Sequence, residues 1–196
     1  MDSISLEEAA ALLRQGRPVV FPTDTVYGLG LSPAYAASPE ALFRLKRRDE
    51  GKPVAWLVAG PEALDEWGAD VPGWARQLAK AHWPGALTLV VRASDRVPAA
   101  FASEQGTIGL RMPASPTALA LLDVLRAPLA TTSANISGGP AVSRAADLDS
   151  RLLAAVSLLL PLDGEGEEGA PDAVASTVVD CTGDGPVVLR QGPVRL

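Results

Sequence analysis

The segment Pro22–Gly30 concentrates polar groups that can bind a ligand. It contains two threonine hydroxyls, the carboxylate of Asp24 and the phenol of Tyr27, and its last three residues include two glycines. It follows the apolar run Val19–Phe21, which predicts a short buried strand. Because ligands bind outside the carboxyl ends of strands in open α/β sheets, we expect this segment to form the floor of a site. The alternative is a polar turn that only connects a strand to a helix.

Several other predicted strands also carry hydroxyls or cations at an end. Together with the first segment, these residues are Thr23, Thr25, Thr107, Arg111, Thr131, Ser133, Ser176 and Arg190. Lys46 and Arg48 fall in the last turn of a predicted helix, where they either face the same rim or only complement the helix C-terminus. Side chains of this kind, without a cysteine or histidine nucleophile, suit an anion and a reaction driven by positioning and charge neutralisation. The pattern therefore favours nucleotidyl transfer over hydrolysis.

The composition excludes several other kinds of site. The 196 residues include one cysteine, Cys181, and one histidine, His82, which cannot supply an internal disulfide or a multi-histidine zinc site. The net charge of −6 argues against a broad nucleic-acid surface, since phosphate contacts require clustered lysine and arginine. Residues 164–169 match G-x-G-x-x-G, but three glutamates there would repel a pyrophosphate and no helical pattern follows. We therefore predict neither a dinucleotide-binding fold nor a P-loop.

Alternating helix and strand patterns position the candidate residues. Ser5 to Glu8 fits a capping box ahead of an apolar stripe, so a first helix is predicted to end before Gly16. The other predicted helices lie at 38–48, 61–67, 72–81, 115–126 and 144–155. The predicted strands lie at 17–21, 53–58, 86–91, 106–113, 128–132, 156–160, 176–181 and 187–190. This alternation predicts a single domain over residues 1–196, built as a twisted α/β sheet with flanking helices.

Two further features of the sequence bear on the cellular location of the protein. No 20-residue window lacks polar or charged residues, so we expect no spanning helix and no membrane partner. The acidic amino terminus lacks the basic-then-apolar order of a signal peptide. We expect a soluble, cytoplasmic protein.

The motifs, taken in order, resemble those of the YrdC family of threonylcarbamoyl-AMP synthases. The matching blocks are Pro22 to Gly30, Lys46-Arg47-Arg48 as K-x-R, Trp83 to Thr88, Gly106 to Pro113, Ser133-Ala134-Asn135 as S-x-N, and Ser176-Thr177-Val178 with Arg190-Gln191-Gly192. A single K-x-R or S-x-N means little, but six ordered blocks over residues 5 to 195 make coincidence improbable. The resemblance implies a single YrdC-like domain with a mixed open sheet and a concave ligand cavity.

The resemblance also implies the reaction and the roles of individual residues. L-threonine, bicarbonate and ATP would give threonylcarbamoyl-AMP and pyrophosphate, with Mg²⁺ accompanying ATP and a tRNA-modifying transferase complex acting downstream. The implied catalytic residues are Lys46, Arg48, Ser133 and Asn135. The implied nucleotide-binding residues are Lys46, Arg48, Thr107, Ser133, Asn135, Ala141 and Arg190. The implied threonine-binding residues are Thr23, Tyr27, Arg111, Thr131 and Ser176, with Arg111 expected to pair bidentately with the substrate carboxylate. No protein-held metal is implied.

The chain departs from the family pattern after the K-x-R motif. Asp49-Glu50-Gly51 separates that motif from Lys52-Pro53, where proline usually follows directly, and Ala86 stands where proline is common. These departures bear on the geometry of the threonine pocket more than on the reaction.

Two alternatives stay open: an RNA-binding module of the same fold with weak affinity for RNA, and a paralogue that acts on another carbamoylated compound. Salt-dependent RNA binding without ATP turnover would distinguish the first, and the amino-acid dependence of pyrophosphate release the second.

Overall fold

The computed structural model describes residues 3–46, 54–162 and 174–196. Arg48, the departure at Asp49-Glu50-Gly51 and the acidic stretch 164–169 lie outside the described residues. The strands are β1 (Ser3–Ile4), β2 (Val19–Phe21), β3 (Gly28–Leu31), β4 (Ala55–Leu57), β5 (Gly68–Ala69), β6 (Leu87–Ala93), β7 (Thr107–Arg111), β8 (Leu129–Ser133), β9 (Ser157–Leu159), β10 (Thr177–Asp180) and β11 (Val187–Arg190). The helices are α1 (Leu6–Arg14), α2 (Glu40–Lys46), α3 (Ala63–Trp67), α4 (Gly73–His82), α5 (Pro116–Leu125) and α6 (Ser150–Leu153).

All the described strands belong to one mixed sheet. Its order is β1, β9, β2, β3, β8, β4, β7, β6, β10 and β11, and β5 pairs with β6 outside this path. The pairs β4–β7 and β6–β10 are parallel, whereas β3–β8, β4–β8 and β6–β7 are antiparallel. The predicted mixed open α/β sheet with flanking helices is therefore confirmed.

Helices cover the two faces of the sheet unequally. Helices α1 and α5 pack on one face in a cluster that includes Phe21, Leu57 and Leu129. Residues from α2, α3, α4 and α6 belong to the larger cluster on the opposite face, which contains Trp56 and Leu110. Alternate residues of a strand point to the same face of the sheet. On the face that carries Leu57 and Leu129, the strands extend beyond the area that α1 and α5 cover. That uncovered part of the face is available for a ligand.

Local signals in the sequence explain several element boundaries. The predicted capping box is present, since the Glu8 amide donates to Ser5 Oγ at 3.3 Å and the Ser5 amide donates to Glu8 Oε2 at 2.8 Å. Gly16 has φ +72° just after α1, as expected for a helix-terminating glycine. None of the described helices is both long and apolar enough to cross a membrane.

The prediction of one helix over 144–155 is wrong. The structure has a 3₁₀ turn at Ala145–Asp147 and then the short α6. Between them Leu148 is extended and buried. Asp149 starts the new helix by accepting a hydrogen bond from the Arg151 amide at 2.8 Å. A buried leucine and a second N-cap thus interrupt the helical pattern.

The segment after β2 does not lead into a helix. It turns back into β3, which pairs antiparallel with β2 and with β8. The two glycines of β3 allow close packing rather than a positive φ: a Cβ on Gly30 would lie 2.9 Å from Phe21 Cε1 and 3.0 Å from Thr131 Oγ1. The aromatic ring of Phe21 therefore lies against a strand that has no side chains at these positions.

We expect Gly30→Ala to lower the free energy of unfolding by about 1–3 kcal/mol, because the added methyl overlaps the Phe21 ring and Thr131. The matched control is Gly183→Ala, whose Cβ meets nothing within 4 Å and should change stability by no more than about 0.5 kcal/mol. Urea unfolding of both variants checks this. Equal stabilities would contradict the close packing.

Candidate functional site

A cavity of about 670 Å³ lies over the part of the sheet face that α1 and α5 leave uncovered. Its lining alternates along the strands, as at Thr107, Gly109 and Arg111 of β7. The sequence-predicted site residues that line it are Thr23, Thr107, Arg111, Thr131, Ser133, Ser176 and Arg190. One cavity therefore brings together side chains predicted for two different substrates.

The location differs from the one expected at the carboxyl ends of the strands. Thr107 and Arg111 are the first and last residues of β7, and both line the cavity. Four residues along a strand span about 13 Å, so the cavity extends along the strands over the face of the sheet. The physical reason is the mixed sheet: its neighbouring strands run in opposite directions, so no single edge collects all the carboxyl ends.

Arg111 is a buried cation at one end of this cavity, with 6% of its surface exposed. Its Nη2 donates to Asp24 Oδ1 at 2.7 Å, its Nη1 to Thr25 Oγ1 at 2.9 Å and its Nε to the Gly85 carbonyl at 2.9 Å. Burial lowers the pKa of Arg111, and the charge and hydrogen bond of Asp24 act in the opposite direction. Of five N–H donors, two remain for a ligand once these bonds within the described residues are counted.

The turn that holds Asp24 is fixed by its own hydroxyls. Thr23 Oγ1 donates to the Val26 carbonyl at 2.6 Å and lies 3.1 Å from Thr25 Oγ1. The amides of Thr25 and Val26 both approach Thr23 Oγ1 at 3.3 Å. Thr23 thus organises the turn from within, and it presents its side chain to the cavity as well.

A second cation, Arg190, lies close to Arg111. It belongs to the exposed edge strand β11, but its guanidinium folds back on Ser176: Nε donates to the carbonyl at 3.0 Å and Nη2 to Oγ at 3.2 Å. Burial lowers the pKa of Arg190, and so does the positive charge of Arg111. Arg190 makes no ion pair within the described residues. Two neighbouring cations in the lining of one cavity are typical of an anion-binding site.

The opposite part of the site centres on Lys46, the last residue of α2. Its ammonium is buried, and it donates to the carbonyls of Ser133 and Asn135, to Asn135 Oδ1 at 2.7 Å and to Ser133 Oγ at 3.3 Å. Ser133 Oγ donates in turn to Asn135 Oδ1 at 2.6 Å. The K-x-R lysine and the S-x-N motif therefore meet directly. Lys46 is not a solvated helix-end cation, so its contribution to stability cannot be as modest as that position suggests.

Four of the predicted residues that the structure describes do not line the cavity, namely Lys46, Asn135, Tyr27 and Ala141. Lys46 contacts the lining through Ser133. The side chain of Asn135 accepts a hydrogen bond from Ser133, which does line the cavity. Tyr27 belongs to the core cluster on the other face, and its main chain links Val142 and Ala134. Ala141, predicted at the nucleotide, is next to Val142 and is likewise outside the lining. Arg48 lies outside the described residues.

The structure adds three residues to which the family resemblance assigned no role. Asp24 and Thr25 bind Arg111, which is 87 and 86 residues away in the chain. Thr88 lies in the cavity floor and pairs with Ser176. The signal for Asp24 was its place between two threonines at a predicted strand end. For Thr88 the signal was a lone hydroxyl within an apolar strand.

Comparison with known proteins finds relatives of this chain in both sequence and structure. A model of the Sua5/YciO/YrdC family, described as telomere recombination, matches residues 11–192. The chain is 37% identical over 188 residues to a threonylcarbamoyl-AMP synthase of Pyrococcus abyssi, covering 96% of the chain and 54% of the relative. It is 34% identical over 172 residues to a threonylcarbamoyl-AMP synthase of Xanthomonas axonopodis pv. citri, covering 86% of the chain and 89% of the relative.

A solved structure extends the comparison to three dimensions. The crystal structure of Pyrococcus abyssi Sua5 complexed with L-threonine superposes with a TM-score of 0.85 at 34% identity, over 97% of this chain and 56% of that one. The chain thus spans about half the length of the Pyrococcus abyssi protein and most of the length of the Xanthomonas relative. The family model, the sequence relatives and the shared fold lead to one conclusion: this chain belongs to the Sua5/YciO/YrdC family.

Proposed function

We propose that this chain is an L-threonylcarbamoyladenylate synthase, a nucleotidyltransferase that makes threonylcarbamoyl-AMP and pyrophosphate from L-threonine, bicarbonate and ATP. The observation that carries the proposal is that one cavity is lined by residues predicted to bind threonine and by residues predicted to bind ATP. Arg111 and Arg190 lie at one part of this cavity, and Ser133, which contacts Lys46, lies at another. Its volume of about 670 Å³ falls within the range of small-molecule sites, about 300–1,000 Å³.

Threonine is proposed to bind at Arg111 and Ser176. The remaining N–H donors of Arg111 and the nearby Arg190 suit a carboxylate. Arg190 was predicted to contact the nucleotide, but its bonds to Ser176 favour a role at the amino acid. The threonine complex of the Pyrococcus abyssi relative supports an amino-acid site in this fold.

ATP is proposed to bind along Thr107 and Ser133. Thr107 Oγ1 lies 2.7 Å from Ser103 Oγ, and both residues line the cavity. The buried charge of Lys46 lies directly behind Ser133, where weak solvent screening strengthens its attraction to phosphate oxygens. Arg48, two residues further along the chain, is proposed to add a second cation at the phosphates.

The proposed chemistry has two steps. Bicarbonate loses hydroxide to give carbon dioxide, whose carbon the threonine amine attacks; the amine proton and the hydroxide leave as water, and a carbamate forms. A carbamate oxygen then attacks the α-phosphorus of ATP, and the bond to the bridging oxygen of the β-phosphate breaks to release pyrophosphate. The chain contributes by aligning the two substrates and by offsetting the charge on the phosphoryl oxygens.

Mg²⁺ is proposed to arrive with ATP as part of the substrate, where it would neutralise phosphate charge. Within the described residues no group of three or more His, Cys, Asp or Glu side chains is arranged to hold a metal ion. Mg²⁺ commonly binds through substrate phosphates and one or two carboxylates, and Asp180 supplies a carboxylate to the cavity lining.

The product is a reactive mixed anhydride, so we propose that a tRNA-modifying transferase complex consumes it, and that the reaction takes place in the cytoplasm, where ATP and tRNA are available. The names of the sequence relatives favour a synthase over an RNA-binding module. The net charge of −6 also offers little support for RNA as a main ligand.

The proposed function predicts pyrophosphate release that requires threonine, bicarbonate and ATP together. Each standard amino acid is tested in turn, and mass spectrometry identifies the product. We expect threonine to give the highest kcat/KM and threonylcarbamoyl-AMP to be the product. Release with a different amino acid would instead support a paralogue, and RNA binding without any release would support the RNA-binding module.

We expect Arg111→Lys to raise the KM for threonine by at least about tenfold, because lysine keeps the charge but loses the planar fork that Asp24, Thr25 and Gly85 hold in place. Steady-state kinetics at saturating ATP measures this. Arg96→Lys is the control, since Arg96 is exposed and forms only a 3.7 Å surface pair with Glu66. An unchanged KM in Arg111→Lys would remove Arg111 from the threonine site.

Lys46→Met should abolish most of the activity and lower the free energy of unfolding by about 1–3 kcal/mol, because buried acceptors on Ser133 and Asn135 lose their donor. Lys80→Met, in the exposed part of α4, is the control and should change neither quantity. Pyrophosphate release and urea unfolding are measured on the same preparations. A stable Lys46→Met protein with full activity would contradict both assigned roles.

A further inference from the structure

Thr88 carries a buried hydroxyl in the floor of the cavity, and the proposed function does not use this group. It lies in β6, is 3% exposed and contributes to the lining. Strand β6 runs parallel to β10, where Thr88 is in register with Val178, two residues after Ser176. The two hydroxyl oxygens, Thr88 Oγ1 and Ser176 Oγ, are 2.8 Å apart.

The side-chain rotamer of Thr88 is set by its neighbours. Its methyl group lies over Gly109 of β7, where an added Cβ would come within 3.2 Å of Thr88 Cγ2. With the methyl directed toward β7, the hydroxyl is directed toward Ser176 beside β10. A β-branched side chain has few χ1 choices, so this arrangement is stiff.

The partners of the Thr88–Ser176 pair leave one proton for a ligand. Ser176 Oγ accepts from Arg190 Nη2 at 3.2 Å, and it shares one hydrogen bond with Thr88. Two hydroxyls carry two protons, and the bond between them uses one. Whichever oxygen is the donor, the other proton has no acceptor within the described residues. The pair therefore presents one O–H donor to the cavity, next to the Arg190 guanidinium.

We propose that Thr88 is a positioning residue for the amino-acid substrate. It fixes the Ser176 hydroxyl so that the pair donates one hydrogen bond to an anionic oxygen of the bound threonine, while Arg190 holds the same serine from the other side. This inference rests on the proposed function, and it extends the threonine site to a residue that acts through Ser176. The nearby cations Arg111 and Arg190 make a carboxylate oxygen the acceptor that fits this donor.

The test compares Thr88→Val with Thr88→Ser in the full chain. Valine keeps the methyl group of threonine and replaces the hydroxyl with a second methyl of similar volume, whereas serine keeps the hydroxyl and loses the methyl. We expect Thr88→Val to raise the KM for threonine by about tenfold, as for the loss of one oriented hydrogen bond, with the KM for ATP changed by less than about twofold. Thr88→Ser should stay within about threefold of the wild type in both constants.

Thr117→Val is the matched control. Thr117 is a fully buried threonine of α5 that accepts from the Leu162 amide and lies outside the cavity lining, so its loss of a hydroxyl should leave both KM values unchanged. An unchanged threonine KM in Thr88→Val, an equal rise in both KM values, or a Thr88→Ser variant as impaired as Thr88→Val would overturn the role of Thr88 while the proposed function stands. A wild-type chain without threonine-dependent pyrophosphate release would overturn both.

Discussion

The buried guanidinium of Arg111 is the interaction on which the site depends. Burial of this cation is costly, and three groups from two segments offset that cost: the charge of Asp24, the hydroxyl of Thr25 and the carbonyl of Gly85. These contacts tie the turn after β2, the segment before β6 and the end of β7 to one another. The same guanidinium keeps two N–H donors beyond its bonds within the described residues, so the group that organises the cavity is also the one proposed to bind the substrate carboxylate.

The cavity exists because the sheet is covered unequally. Helices α1 and α5 bury one part of a face over Phe21 and Leu57, and the adjoining part, over β7, β6 and β10, carries hydroxyls, a glycine and Arg111. The opposite face is closed by a larger apolar cluster. A sheet with one fully packed face and one half-open face gives a rigid floor whose side chains are fixed by strand register. Such a floor suits a reaction that works by alignment and charge.

Local patterns in the sequence predicted eight of the eleven described strands, the first helix and several polar residues of the lining, because strand alternation and capping are determined by neighbouring residues. What they missed depends on distant contacts. Strand β3 alternates glycine with leucine and has no β-branched, aromatic or polar side chain to indicate a strand, and its glycines leave room for Phe21. The burial of Lys46 comes from Ser133, 87 residues away. The bond from Arg111 to Asp24 spans the same separation, and no local pattern encodes it.

The central claim is that threonine and ATP occupy one cavity at the same time, at separate groups of side chains. Calorimetric titration of threonine, with and without a saturating ATP analogue that cannot be cleaved between the α- and β-phosphates, tests it most directly. With Mg²⁺ present, the account predicts one threonine per chain in both titrations and no loss of threonine affinity when the analogue is bound. Competition between threonine and the analogue would contradict it.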